Sequence, residues 1–241
     1  MKIALIGYGK MGQTIERIAL SRGHEIVLKI GRGNIDDFTE DAIKKADAAI
    51  EFTQPEAALE NVSRCLKAGV PVVCGTTGWN DKVPEAEALC AQHHTAMIQS
   101  SNFSVGVNIF FAVNKYLAKL MDQQQDYNVL VEETHHTQKL DAPSGTAITI
   151  AEQIVQELSR KDKWVKEEAH AAAELAIKAY REPEVPGTHV VTYHSEIDDI
   201  EIKHTAHTRD GFALGAVMAA EFLAGRQGVF SMQDVLFPGN A

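Results

Sequence analysis

Along the first hundred residues, short apolar runs alternate with segments of helical period. "KIALI" (2–6), "EIVLKI" (25–30), "AAIEFT" (48–53), "PVVCGTTG" (71–78) and "TAMIQSS" (95–101) predict five strands. The intervening stretches 11–22, 55–69 and 82–93 predict helices. Pro55 opens the second of these and Gly69 closes it, the expected asymmetry of helix ends. Strands that are apolar almost throughout and separated by helices indicate a parallel sheet covered on both faces. The N-terminal part therefore predicts a Rossmann-like, doubly wound α/β fold.

Beyond residue 103 the pattern changes. "SVGVNIFFAVNKYLAKLM" (104–121) predicts a long amphipathic helix, and "DYNVLVEETHH" (126–136) a strand ending at two histidines. "SGTAITIAEQIVQELSR" (144–160) and "FALGAVMAAEFLAG" (212–225) predict further helices. "THVVTYHSEIDDIEIKHTAHT" (188–208) alternates apolar and polar residues, as antiparallel strands with one wet face do. This half predicts an α+β domain with an open mixed sheet. The charged stretch 161–187, with Pro183 and Pro186, predicts a helix followed by a loop.

Composition mainly excludes. The 241 residues suffice for one large domain or two small ones, and 45% hydrophobic with 23% charged residues is ordinary for a soluble globular chain. With 23 basic and 33 acidic residues the net charge is −10, which argues against nucleic acid or an anionic membrane as partner. A local basic pocket for a small anion stays compatible with that balance. No segment reaches the roughly 20 apolar residues of a membrane span, and "MKIALIGYGKMG" runs straight into a strand without a signal-peptide pattern. A cytoplasmic location is expected. Cys65, Cys74 and Cys90 form no CxxC pair and fit buried thiols in a reducing compartment.

Against this background two motifs carry chemistry. "GYGKMG" sets Gly7, Gly9 and Gly12 in GxGxxG spacing between a predicted strand and a predicted helix. The first glycine permits the turn, the second lets backbone approach a pyrophosphate, and the third lets helix pack on strand. The helix N-terminus offers N–H groups and partial positive charge to the phosphates. After the second strand no carboxylate stands ready for the ribose hydroxyls. Arg32 suits a 2′-phosphate there, which favours NADPH; the alternative is a solvated loop arginine. Phe52-Thr53 and the "GTTG" of 75–78 end two further strands at the same sheet edge and suit a nicotinamide.

The second motif is "ETHHTQKLDAPSGTA" (133–147). Neighbouring residues on a strand point to opposite faces, so one of His135 and His136 supplies a proton while the other binds. Histidine titrates near neutrality and suits a general acid. Lys139 is a point charge suited to a carboxylate. Ser144, as the cap of a helix opened by Gly145 and Thr146, completes an anion site. Together these want a small, doubly anionic substrate. Asp141 either orients Lys139 or holds the turn, the second being preferred. A metal is not expected, because adjacent histidines rarely share one and no Cys or Glu completes a tetrahedral set. Ser144 lacks the strand–turn–helix elbow of a nucleophile.

These motifs recur in order with "FTQPEAALENV", "GTTGW", "SSNFSVGVN" and "HTAHTRDGFALGAV", over most of the chain. In that combination the sequence resembles the 4-hydroxy-tetrahydrodipicolinate reductase (dihydrodipicolinate reductase) family of lysine and diaminopimelate biosynthesis. The resemblance implies a dinucleotide-binding domain over 1–103 and a substrate-binding and oligomerisation domain over 104–209, assembled as a homotetramer. It also implies a C-terminal helix, from about 210 to 241, that returns to the first domain. The implied reaction is reduction of 4-hydroxy-tetrahydrodipicolinate by NADPH or NADH, with loss of the 4-hydroxyl as water. His135 matches the family's general acid, and Lys139 a second proton donor or carboxylate partner. His136 matches a substrate contact, and Ser144, Gly145 and Thr146 the carboxylate-binding turn. Gly7, Tyr8, Gly9, Lys10, Met11 and Gly12 match cofactor contacts, as do Gly75, Thr76 and Thr77 and then Ser100, Ser101, Asn102 and Phe103. Many relatives carry an acidic residue before the arginine where this chain has Gly31-Arg32, and many are longer between the second and third strands.

Two other readings share the architecture. A different nicotinamide enzyme, such as an amino-acid dehydrogenase, would need a pocket for a monocarboxylate. A nucleotide-sensing protein without catalysis would need none of the His, Lys and Ser-Gly-Thr set.

Overall fold

In the computed structural model, which describes residues 1–239, the apolar runs of the N-terminal half become the strands of one parallel sheet. In chain order the elements are β1 (Lys2–Ile6), α1 (Lys10–Ser21), β2 (Glu25–Ile30), α2 (Glu40–Ile43), β3 (Ala48–Glu51), α3 (Pro55–Lys67), β4 (Val72–Cys74), α4 (Val83–Gln92) and β5 (Ala96–Gln99). The strands lie in the order β2-β1-β3-β4-β5, every pair parallel. Alternation along β1 explains the two-sided burial. Ile3 and Leu5 join one apolar layer with Ile15 and Ala19 of α1, while Ala4 and Ile6 join the other with Val62 and Leu66 of α3. The three cysteines are free and buried. Strands β3, β4 and β5 end earlier than their apolar runs. Residues 52–53, 75–78 and 100–101 leave the ladder and form the loops beyond its carboxyl edge.

The chain divides into two compact units: Met1–Val105 together with the stretch from Arg209 onward, and Gly106–Thr208. The second contains most of α5 (Val105–Met121), then β6 (Asn128–His135), α6 (Gly145–Glu157), β7 (Lys163–Lys166), β8 (Glu174–Arg181), β9 (Gly187–His194) and β10 (Asp199–Ala206). Its sheet runs β10-β9-β6-β8-β7, antiparallel at β10/β9 and β9/β6 and parallel at β6/β8 and β8/β7. The expectation of a helix and loop over 161–187 is wrong: β7 and β8 occupy it. Leu175, Ala176 and Ile177 of β8 are buried, but they are a short run inside charged flanks, and both prolines fall between β8 and β9. The core of this unit sets Phe110, Phe111, Ile150 and Ile154 against Val131, Ile177, Val191 and Tyr193. Strand β10 forms the open edge, and none of its residues is buried.

From Asp210 the chain belongs to the first unit. Helix α7 (Asp210–Leu223) buries a small-residue face, with Ala213, Gly215, Ala216, Ala219 and Ala220, against α1 and the sheet. A Cβ at Gly215 would stand 1.7 Å from the carbonyl oxygen of Phe103. The expected single helix to residue 241 stops at Leu223. Strand β11 (Gly228–Phe230) then adds to the sheet beside β5 in parallel, and α8 (Met232–Leu236) follows. The last two positions of the expected helix lie outside the described residues.

Candidate active site

Between β1 and β3 the order of strands in the sheet reverses, which is where ligands of open α/β sheets bind. A cavity of about 740 Å³ opens there, lined by Gly7, Tyr8 and Gly9 after β1, Gly31 and Arg32 after β2, and Phe52 and Thr53 after β3, among others. Gly7 has φ +100°, and a Cβ on it would stand 1.9 Å from the carbonyl oxygen of Phe52. At Gly9, the cap of α1, a Cβ would meet nothing within 4 Å. That open cradle, under first-turn N–H groups that have no intrahelical partner, fits a dinucleotide's pyrophosphate. Gly12 packs on the turn itself, where a Cβ would stand 2.2 Å from the Gly7 carbonyl oxygen. After β2, Asn34 braces the loop: its Oδ1 accepts from the Gly31 amide at 2.8 Å and its Nδ2 donates to the Lys29 carbonyl at 2.9 Å.

Lys10, Met11, Gly12, Gly75, Thr76, Thr77 and residues 100–103 do not line this cavity. Lys10, Thr77 and Ser101 are exposed, and Met11 packs against the core. Phe103 is buried, its ring 5.9 Å from that of Phe52, and Phe52 in turn covers Gly75. Ser100 Oγ accepts from the Asn102 amide, and Asn102 Oδ1 accepts from the Ser104 amide. Thr53 and Thr76 are fixed by a residue the sequence reading passed over. Glu51, fully buried at the end of β3, accepts hydrogen bonds from Thr53 Oγ1, from Asn61 Nδ2 at 3.2 Å, from Thr76 Oγ1 at 2.7 Å and from Cys74 Sγ at 3.0 Å. Its only signal was a carboxylate interrupting the apolar run "AAIEFT".

In the second unit the histidines part ways. Strand β6 buries Val129, Val131, Glu133 and His135 on one face, so His135 is buried while His136, past the strand's end, is half-buried. His135 Nδ1 lies 3.3 Å from Glu133 Oε2. His189, the cross-strand partner of Glu133 on β9, brings its Nε2 to 3.7 Å from the same oxygen and to 3.4 Å from Ser144 Oγ. Its ring meets that of His135 edge to face, with centroids 5.1 Å apart. Ser144 caps α6, its Oγ accepting from the Ala147 amide at 3.2 Å. Gly145 is exposed and Thr146 half-buried at that helix mouth. Lys139 Nζ donates to both carboxylate oxygens of Asp141 at 2.8 Å, the contact that the first of the two roles open to Asp141 requires. Against the expectation that no Cys or Glu completes a tetrahedral set, Glu133 stands beside His135, in a group of three with His189. Ligand-type atoms of Glu133, His135 and His189 lie within 4.8 Å of one another. The guanidinium of Arg181, 3.4 Å from Glu133 Oε1, supplies positive charge to that carboxylate.

Electrostatics follow from this packing. Burial alone would raise the Glu133 carboxyl, but contacts from His135 and Ser144 outweigh it and hold it at about 2. Burial pushes His189 from 6.5 down to about 3, with His135 adding to the shift and Glu133 opposing it. The unfolded chain therefore takes up a proton on His189 near pH 6.5 that the folded protein refuses until about pH 3. Stability from this group is complete above pH 6.5 and falls through that window, by at most about 1.4 kcal/mol per pH unit for one proton. Glu133 contributes in the same direction, but only between its ordinary 4.5 and about 2. The urea midpoint of the wild type is expected to fall between pH 6.5 and 5, and that of His189→Asn to fall less. Equal slopes in that upper window would contradict the burial of a neutral imidazole.

Family models match both halves: "Dihydrodipicolinate reductase, N-terminus" over residues 1–103 and "Dihydrodipicolinate reductase, C-terminus" over 106–236. A 4-hydroxy-tetrahydrodipicolinate reductase from Christiangramia forsetii is 51% identical over 240 residues, covering 98% of each chain. A protein of the same name from Methanopyrus kandleri is 36% identical over 231 residues, covering 91% of this chain and 83% of its own. Among solved structures, a dipicolinate-bound dihydrodipicolinate reductase from Paenisporosarcina sp. TG-14 superposes with a TM-score of 0.77 at 22% identity, over 97% of this chain and 98% of that one. An amine dehydrogenase from Mycobacterium smegmatis reaches 0.62 at 11% identity, over 96% and 95%, which speaks to the fold alone. With both halves matched and a relative at 51% identity along almost its whole length, the chain belongs to the dihydrodipicolinate reductase family.

Proposed function

We propose that the chain reduces 4-hydroxy-tetrahydrodipicolinate to tetrahydrodipicolinate with NADPH or NADH, releasing water, in lysine and diaminopimelate biosynthesis. The observation that carries this reading is a buried imidazole, His135, tied through one carboxylate to the capped mouth of α6. A proton donor is thereby fixed to an anion site, as a dianionic substrate that loses a hydroxyl requires.

When bound, the nicotinamide supplies the hydride. The chain's own groups do the rest. Gly7 and Gly9, with the first turn of α1, hold the pyrophosphate, and Arg32 meets the ribose end. Phe52, Thr53, Gly75, Thr76 and Thr77, with residues 100–103, complete the cofactor side. His135 gives the proton that leaves with the 4-hydroxyl as water. Lys139 exchanges Asp141 for a substrate carboxylate, and His136, Ser144, Gly145 and Thr146 bind the dicarboxylate. Residues 1–103 then serve the cofactor and 104–209 the substrate. The dipicolinate bound by the Paenisporosarcina protein is a ring dicarboxylate of the class this set would take. The open β10 edge supports assembly as a homotetramer, with a mass four times that of the chain in solution. No helix among the described residues is long and apolar enough to cross a membrane, which accords with action in the cytoplasm.

The test follows oxidation of NADPH and of NADH at 340 nm while the preceding synthase makes the substrate from pyruvate and aspartate semialdehyde. Oxidation that depends on the synthase is expected, faster with NADPH if Arg32 meets a 2′-phosphate. Binding of both cofactors without oxidation of either would overturn the proposal.

A further inference from the structure

We propose that Glu133 is the positioning residue of the reduction, one buried carboxylate that both orients His135 and pins the anion-binding mouth of α6. The inference rests on the reading of His135 as proton donor and extends it to a residue that touches neither substrate nor cofactor in that reading.

The two carboxylate oxygens divide the work. Oε2 faces His135 Nδ1 at 3.3 Å and His189 Nε2 at 3.7 Å. Neither Oε2 nor Nδ1 has a hydrogen-bond partner, so the facing carboxylate favours a proton on Nδ1 and leaves Nε2 as the nitrogen able to deliver one; it lies over β9, 3.0 Å from where a Cβ on Gly187 would be. Oε1 accepts from the Ser144 amide at 3.0 Å, at the start of α6. The same oxygen receives Arg181, whose Nη2 also donates to the Asp141 carbonyl at 2.5 Å and whose Nε donates to the Lys139 carbonyl at 3.3 Å. The loop carrying Lys139 and the cap at Ser144 are thus both tied to Glu133. A carboxylate with 1% exposure is costly unless charge and hydrogen bonds compensate it, and here each compensating group is a candidate site residue or holds one. The charged and titratable groups facing His135 are Glu133 on its own strand, His189 on β9 and Arg181 at the paired position of β8, and the charge of Lys139 in the loop acts on His189.

Two variants separate the two duties. Glu133→Gln keeps a carbonyl oxygen for the Ser144 amide and removes the charge. It is expected to lower kcat at least about tenfold, as neutralising the orienting acid of a histidine does, and to move the descending limb of kcat/KM to lower pH, with substrate KM little changed. Glu133→Asp keeps the charge and retracts it by one methylene. It is expected to keep the pH limb and raise substrate KM several-fold. A merely structural role would lower the active fraction and leave both KM and the pH limb in place. If Glu133→Gln does not fold, Glu133→Asp decides alone, and an unchanged KM overturns the inference. Wild-type kcat, KM and pH profile in both variants would also overturn it, while a wild type that turns over and a dead His135→Ala leave the proposed function standing. Full turnover in His135→Ala would instead remove the reading beneath it.

Discussion

His135→Ala is expected to lose about 10²–10⁴-fold in kcat, with substrate KM close to that of the wild type. His135 is buried at the end of β6, so under the proposed role it contributes a proton and little binding surface. Removing it leaves Ser144 and the mouth of α6 in place, because the tie between them and β6 runs through Glu133. Lys139→Ala differs in kind. Its ammonium is paired with the exposed Asp141, a contact of little stabilising value, so the loss falls on both kcat and KM. Steady-state kinetics with the coupled assay check the contrast. Near-normal turnover in both variants would remove the assignment of roles.

Gly7→Ala is expected to destabilise the first unit by at least about 2 kcal/mol and to abolish NADPH binding. An L-residue at φ +100° carries roughly 1–2 kcal/mol of strain. The added methyl would also stand 1.9 Å from the Phe52 carbonyl oxygen, and relieving such overpacking costs about 1–3 kcal/mol more. Relief requires β1 and β3 to separate at the cavity they both line. Gly9→Ala is the control: its Cβ meets no protein atom within 4 Å, so the fold is expected to survive while the methyl enters the phosphate cradle and weakens NADPH. Urea midpoints and cofactor fluorescence titrations measure both effects. Unaltered stability of Gly7→Ala would contradict the geometry of the turn.

Much of this architecture was legible because it depends on local order. β1 and β2 coincide with their apolar runs, and α3 with its Pro55 and Gly69 punctuation, since buried parallel strands need unbroken apolar residues and helix ends need particular backbone groups. β7 and β8 were hidden by charged neighbours: β8 pairs with β6, distant in sequence, and β7 forms only as the strand added beside β8. β11 is three residues long and exists only because β5 offers it an edge. The candidate site divides in the same way. His135, Lys139 and Ser144 could be read from one stretch, but His189 and Arg181 reach it only through strand register. Glu133 stood inside the quoted motif, and its shared parity with Val129, Val131 and His135 on β6 was the available signal. Glu51 joins residues from three separate segments, and no local pattern records that.

Under the proposed reaction, a hydride from the nicotinamide ends on the ring of a dicarboxylate that loses its hydroxyl. The most direct measurement uses NADPH deuterated at the transferring C4 position, with the synthase supplying substrate, and reads the mass of the ring product. Tetrahydrodipicolinate carrying one deuterium in step with NADPH consumed is the expected product. Consumption of NADPH with no deuterium in that product would contradict it.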